Sequence, residues 1–189
     1  QGNPALEPEN IDSYELGYQR MFDKSLFSAE LYYRVNNNKI ESYQTAYSEN
    51  VTLRSMDNVG KDYSFGSELM LNFDPIKIWN VNLMGNLYNY KIVGQLNETD
   101  FDRESFNWNT RLNNSLNISQ NSQLQFNLFY NSPTVSAQGK NEDFIMASAA
   151  FRQMFMDKQL ALTLQVRDIF ATGKREFTSE SFDFYRYNK

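Results

Sequence analysis

The side chains that most often carry enzymatic chemistry are absent from this sequence of 189 residues. It contains neither His nor Cys, which excludes the Ser–His–Asp triad, thiolate nucleophiles and the commonest ligands of structural zinc. Acid–base chemistry would have to rest on carboxylates alone. We therefore expect that the protein is not an enzyme and that it needs no cofactor.

Three acidic side chains, Asp100, Asp102 and Glu104, alternate along a polar segment that we predict to be a long loop. Carboxylates suit Ca²⁺, but the segment lacks the spacing and the glycine of an EF-hand, which favours a solvated charge cluster. Tyr43 and Tyr47 could contact a ligand such as a sugar, but we favour the interpretation that they are ordinary loop aromatics. The net charge of −5 argues against nucleic acid as a partner.

Seven further charged side chains alternate with apolar residues, and we expect them to share one polar face. They are Glu15, Glu30, Arg34, Glu68, Arg111, Arg152 and Arg167. On a barrel they would face the lumen, where they could touch a plug or a passing solute, or pair with one another in a wet interior, which we favour. A first hairpin that pairs Phe22 with Phe27 would place Glu15 opposite Arg34.

The elements that position these residues are strands, because apolar and polar residues alternate with a period of two. The pattern predicts strands near residues 13–22, 27–36, 65–73, 79–88, 106–118, 124–130, 145–155 and 160–167, and a ninth near Phe177 to Tyr187. The 23 Asn residues are unusual for strands, and a sheet with one apolar and one wet face accounts for them. We expect Leu69, Leu83, Leu112 and Leu162 on the apolar face, and Asn82, Asn113 and Thr163 on the wet one.

Strand length and connection length both favour a membrane barrel over a soluble sandwich. The strands run to about 9–13 residues, enough to cross a bilayer at a tilt. Short turns at residues 23–25, 74–77, 119–122 and 156–158 alternate with long connections at 36–55, 91–105, 132–143 and 168–174. Outer-membrane barrels show this alternation of short periplasmic turns and long extracellular loops.

Aromatic residues on the apolar face fall in two groups, as in the girdles of membrane barrels. The group beside the short turns is Phe22, Phe27, Phe73, Trp79 and Phe155, and the group toward the long connections is Tyr14, Tyr33, Phe65, Trp108 and Tyr130. The sequence therefore predicts an all-β, antiparallel up-and-down transmembrane β-barrel segment of about nine strands, in contact with outer-membrane lipid. The alternatives are a soluble β-sandwich that binds carbohydrate or acts in adhesion, and a barrel enzyme, which the absence of His disfavours.

Residues 2–9 read GNPALEPE, and SYELGY follows at 13–18. These motifs resemble those of TonB-dependent receptors, in the form of the outer-membrane β-barrel family common in Bacteroidota. Others are YNSP at 130–133 with Gln138-Gly139, and Asp168-Ile169-Phe170. Further matches in the expected order are LYYR at 31–34 with Ile40-Glu41, and Gly60 with GSE at 66–68.

The resemblance implies that residues 1–189 are the C-terminal portion of an outer-membrane barrel, without the plug domain, the earlier strands and the final strand. We then expect unpaired sheet edges near Tyr14 and Tyr185. The resemblance implies uptake of a scarce nutrient of siderophore, glycan or peptide class across the bacterial outer membrane. The implied partners are the rest of the barrel and its plug, and the TonB complex through the N-terminal part.

Overall fold

The computed structural model describes residues 3–48, 51–96, 98–174, 176–180 and 185–188, and most of them lie in strands. The first six strands are β1 (Asn10–Phe22), β2 (Ser25–Ser48), β3 (Val51–Ile76), β4 (Trp79–Leu96), β5 (Thr99–Asn117) and β6 (Ser122–Asn131). The others are β7 (Thr134–Ser136), β8 (Gly139–Asn141), β9 (Phe144–Phe155), β10 (Leu160–Val166), β11 (Phe177–Glu180) and β12 (Tyr185–Asn188). Over these ranges, no helix has the length and apolar character to span a membrane.

The strands form an antiparallel meander, as the alternation pattern predicts. The main sheet has eight strands in the order β1-β2-β3-β4-β5-β6-β9-β10, and β7, β8, β11 and β12 form a second, small sheet. Short turns join β1 to β2 at Asp23-Lys24 and β9 to β10 at residues 156–159, and Asp23, Met156, Asp157 and Lys158 have positive φ. The main sheet does not close, because β1 and β10 remain its two edges.

The predicted ninth strand of the barrel is wrong. The segment near Phe177 to Tyr187 supplies β11 and β12, with residues 181–184 outside the described part of the chain. β11 pairs with β8 instead of β10, because the connection between β6 and β9 folds into the β7–β8 hairpin and offers a free edge. The second edge of the main sheet is therefore β10, whereas Tyr185 belongs to the small sheet.

Two of the predicted long loops are wrong as well. β2 and β3 stay paired from Leu26↔Asn72 to Ser48↔Val51, and β4 and β5 stay paired to Leu96↔Thr99. Residues 36–55 and 91–105 are thus mostly strand, and the acidic cluster lies on β5. Apolar alternation ends near Asn36, but the backbone hydrogen bonds that hold a hairpin together continue without it.

Strand register divides the main sheet into two faces. Leu71, Leu83, Leu112 and Leu128 pair in one row across β3 to β6, and Asn72, Asn82, Asn113 and Asn127 pair in the next. Because successive residues of a strand point to opposite sides, these rows define an apolar face and a polar face. By the same register, Leu69 and Leu162 lie on the apolar face and Thr163 on the polar face.

Two glycines let β3 and β4 approach closely beside a bulge in β2. Gly60 pairs with Gly94 and has φ of 138°, a conformation that side chains disfavour. A Cβ on Gly94 would collide with the carbonyl oxygen of Val59. Val59 and Ile92 are buried here with Ala137, forming a small core on the polar face, well away from the Leu row.

Candidate functional site

The first hairpin brings Glu15 and Arg34 together, although it does not pair Phe22 with Phe27. Phe22 pairs with Ser25 because the turn has only two residues, and this places Glu15 opposite Tyr32. The Arg34 Nη2 still reaches the Glu15 Oε1 diagonally at 2.9 Å. Both side chains are well exposed, so the ion pair contributes little to stability.

Among the described side chains, the other charges of the predicted set of seven form no ion pair with one another. Glu30 and Glu68 lie opposite each other in the register of β2 and β3. Both line a shallow cleft with Arg111. The Arg111 guanidinium lies 5.4 Å from the centre of the Phe129 ring. Arg152 is on the same face between Gln123 and Thr163, and Arg167 follows the last residue of β10. Among the described side chains, Glu15–Arg34 is the one ion pair that joins two of the seven predicted charges.

All ten predicted girdle aromatics lie on the apolar face. The set is Tyr14, Phe22, Phe27, Tyr33, Phe65, Phe73, Trp79, Trp108, Tyr130 and Phe155. Trp108 and Tyr130 are in ring contact, with centroids 4.4 Å apart. Arg20 shares this face and places its guanidinium 4.6 Å from the centre of the Phe22 ring. That lipid covers this face stays a prediction.

Residues 134–141, which we call the inner hairpin, lie across the polar face. The Gln138 amide donates to the Gln44 carbonyl at 2.6 Å and accepts from the Gln44 N–H at 2.7 Å. The Ala137 N–H donates to the Glu41 carboxylate at 2.9 Å. These contacts join segments more than 90 residues apart, and sequence reasoning, which saw only a loop motif at Gln138-Gly139, missed them.

Ionisable groups gather beneath the inner hairpin. The Lys39 ammonium lies 3.5 Å from Glu9 and 3.6 Å from Asp62. Burial raises the pKa of Glu41, and the Ala137 N–H, the Lys39 ammonium and the Arg103 guanidinium oppose that rise, while Asp62 adds to it. Proton uptake by Glu41 is therefore coupled to the docked position of the hairpin.

We expect docking of the inner hairpin to weaken as the pH rises through the raised pKa of Glu41. At pH values below the ordinary pKa of Glu, the Glu41 carboxyl is protonated whether the hairpin is docked or undocked, so docking is strongest there. At pH values above the raised pKa, docking buries the ionised carboxylate, and the cost of that burial no longer changes with pH. Hydrogen exchange of residues 134–141 across this pH range measures the effect. Glu41→Gln keeps an acceptor for Ala137 and should remove the pH dependence, and an identical profile in both proteins would contradict the coupling.

Among the described residues, no group of three or more acidic side chains is placed so that it could hold a metal ion. Asp102 of the acidic segment instead pairs with Lys91 across the β4–β5 hairpin, at 2.9 Å. A loop has no cross-strand neighbour, so the predicted loop gave no indication of this ion pair.

A long antiparallel meander with one apolar and one polar face is typical of outer-membrane β-barrel proteins. A model of the outer membrane protein beta-barrel family matches residues 1–189, and the chain belongs to this family. Its location is therefore the bacterial outer membrane. The comparisons with curated proteins and with solved structures gave no match.

Proposed function

We propose that the chain is the barrel portion of a TonB-dependent receptor of Bacteroidota type that takes up a scarce nutrient. The observation that supports this most is the inner hairpin lying across the polar face beside two clefts lined with amide and charged side chains. A barrel that served only as an anchor has no need of such a segment. The receptor motifs at residues 2–18 and 130–139 support the same proposal.

The proposal assigns a partner to each exposed feature. Lipid covers the apolar face, where Leu16 is 72% exposed and Leu164 is 63% exposed. The rest of the barrel pairs with the free edges of β1 and β10, since unpaired edges recruit further strands. The plug and the nutrient meet the polar face, and the TonB complex acts through the N-terminal part. Catalysis is not expected.

A soluble β-sandwich fits the molecule poorly. A sandwich buries the apolar faces of two sheets against each other. Among the described residues no second sheet covers the apolar face of this main sheet, where Leu83 is 40% exposed and Leu162 is 53% exposed. Family membership argues in the same direction.

Energy coupling gives the direct test. We expect cells that depend on the full-length protein for a limiting nutrient to lose growth and uptake when TonB is deleted, because a receptor cannot release its cargo inward without that coupling. Uptake of radiolabelled nutrient should fall to the level of cells lacking the receptor. Equal uptake with and without TonB would show a passive pore instead.

A further inference from the structure

Arg20 interrupts the apolar face of the main sheet near the end of β1. Tyr18 and Phe22 flank it on its own strand, Phe27 lies directly opposite it on β2, and the residue is exposed. A charged side chain is costly at the midplane of a barrel's lipid face and is tolerated near the membrane interfaces. The direction in which the guanidinium points therefore decides how this residue is accommodated.

The guanidinium leans toward the short turn that joins β1 to β2. It lies 4.6 Å from the centre of the Phe22 ring, and Phe22 is the last residue of β1. The short turns of outer-membrane barrels lie on the periplasmic side. Long cationic side chains near the boundary of a membrane bring their charge to the headgroups by extending in this way. Stacking on Phe22 therefore holds the charge of Arg20 on the side of the periplasmic headgroups.

Arg20 has no polar partner within the described part of the chain, where it forms neither an ion pair nor a hydrogen bond. Other polar side chains at this end of the apolar face do have partners. The Trp79 indole N–H donates to Asn114 at 3.3 Å, and the Ser122 hydroxyl donates to Gln153 at 2.6 Å. Arg20 therefore presents an unpaired cation on a face whose other polar groups are hydrogen-bonded.

We propose that Arg20 binds the phosphate group of a phospholipid in the periplasmic leaflet of the outer membrane. A guanidinium presents a planar set of N–H donors that matches the oxygens of a phosphate. No carboxylate of the described residues pairs with it, whereas phospholipid headgroups supply phosphate all along the boundary of the hydrocarbon. The inference names a lipid site, and it rests on the assignment of lipid to the apolar face in the proposed function.

Solid-state NMR of the full-length protein in phosphatidylglycerol vesicles tests the contact. With ¹³C in the arginine guanidinium groups, we expect the lipid ³¹P to dephase a signal that Arg20→Gln removes, because that carbon and the phosphorus are in contact. Arg152 is the matched control, since it lies near the short-turn end of β9 but on the polar face. Arg152→Gln should leave the dephased signal in place. Dephasing that is the same in Arg20→Gln as in the wild type would overturn the proposal.

Folding equilibria in two kinds of vesicle separate a lipid partner from a partner in the protein. In phosphatidylglycerol, Arg20→Gln should lower the equilibrium constant for folding about fivefold, equivalent to about 1 kcal/mol for one basic side chain at an anionic surface. In digalactosyldiacylglycerol, which has no phosphate, this loss should disappear, with or without added inorganic phosphate. Arg20→Lys, which keeps the charge, should recover part of the loss in phosphatidylglycerol.

An equal loss in both lipids would overturn the proposal, because it would show that Arg20 pairs with a group of the full-length protein. No loss in phosphatidylglycerol, or a loss in the galactolipid that inorganic phosphate alone produces, would overturn it as well. Neither experiment involves TonB. Equal uptake with and without TonB would therefore refute the proposed uptake and leave this site intact, whereas failure of the site would leave energy-coupled uptake unaffected.

Discussion

Leu83→Arg in the full-length protein should impair folding into bilayers, and Asn82→Arg should affect it far less. Leu83 sits in the Leu row of the apolar face, and Asn82 sits in the Asn row of the polar face one residue away. An Arg at the midplane of a barrel's lipid face costs about 2–4 kcal/mol, whereas lumen positions are permissive. Denaturant titration of folding into vesicles measures both variants at nearly equal depth.

Lipid thickness separates a membrane face from an ordinary buried face. The cost of Leu83→Arg should change when vesicles of thinner or thicker lipid are used, because the depth of the charge below the headgroups changes. The Asn82→Arg cost should stay nearly constant. Equal tolerance at the two positions would mean that the assignment of the apolar face to lipid is wrong.

Gly94→Ala should disrupt the small core beneath the inner hairpin, with an expected cost of about 1–3 kcal/mol or more from overpacking. The added Cβ meets the backbone of Val59 and of Gly60, and backbone cannot yield as a flexible side chain can. Displacing Val59 and Ile92 removes the surface on which Ala137 rests. Faster hydrogen exchange in residues 134–141, together with a lower denaturation midpoint, is the expected result.

Gly17→Ala is the matched control, because a Cβ on Gly17 meets nothing within 4 Å. Both changes add one methyl group to a strand glycine of the same sheet. If Gly94→Ala proved as mild as Gly17→Ala, the close approach of β3 and β4 would not hold the inner hairpin in place.

The parts of the fold that follow from sequence are those with a period of two. The row from Leu71 to Leu128 and the neighbouring Asn row alternate so strictly that their separation onto two faces could be predicted. The tip at Asp23-Lys24 followed from its turn residues, yet its two-residue length shifted the pairing of Phe22 to Ser25. The number of residues in a turn depends on the local backbone conformation, and the alternation of apolar and polar residues in the strands does not predict it.

The remaining errors share a physical cause. Beyond Asn36, β2 carries polar residues on both sides, so the hairpin is held by backbone hydrogen bonds that leave no side-chain pattern. The Gln138–Gln44 contact joins residues 94 positions apart, and no local segment specifies such a contact.

The continuous pairing of β2 with β3 as far as Ser48↔Val51 sets the entropy that a binding partner at that end of the molecule would have to overcome. Ordering the backbone of a flexible loop costs about 1–2 kcal/mol for each residue fixed. In this protein the backbone hydrogen bonds between β2 and β3 already order residues 36–48 and 51–55. The conformational entropy of these residues is therefore lost during folding, and it does not reduce the affinity for a partner that binds later. Association there should proceed as the docking of a rigid surface, with rate constants on the order of 10⁵–10⁷ M⁻¹s⁻¹.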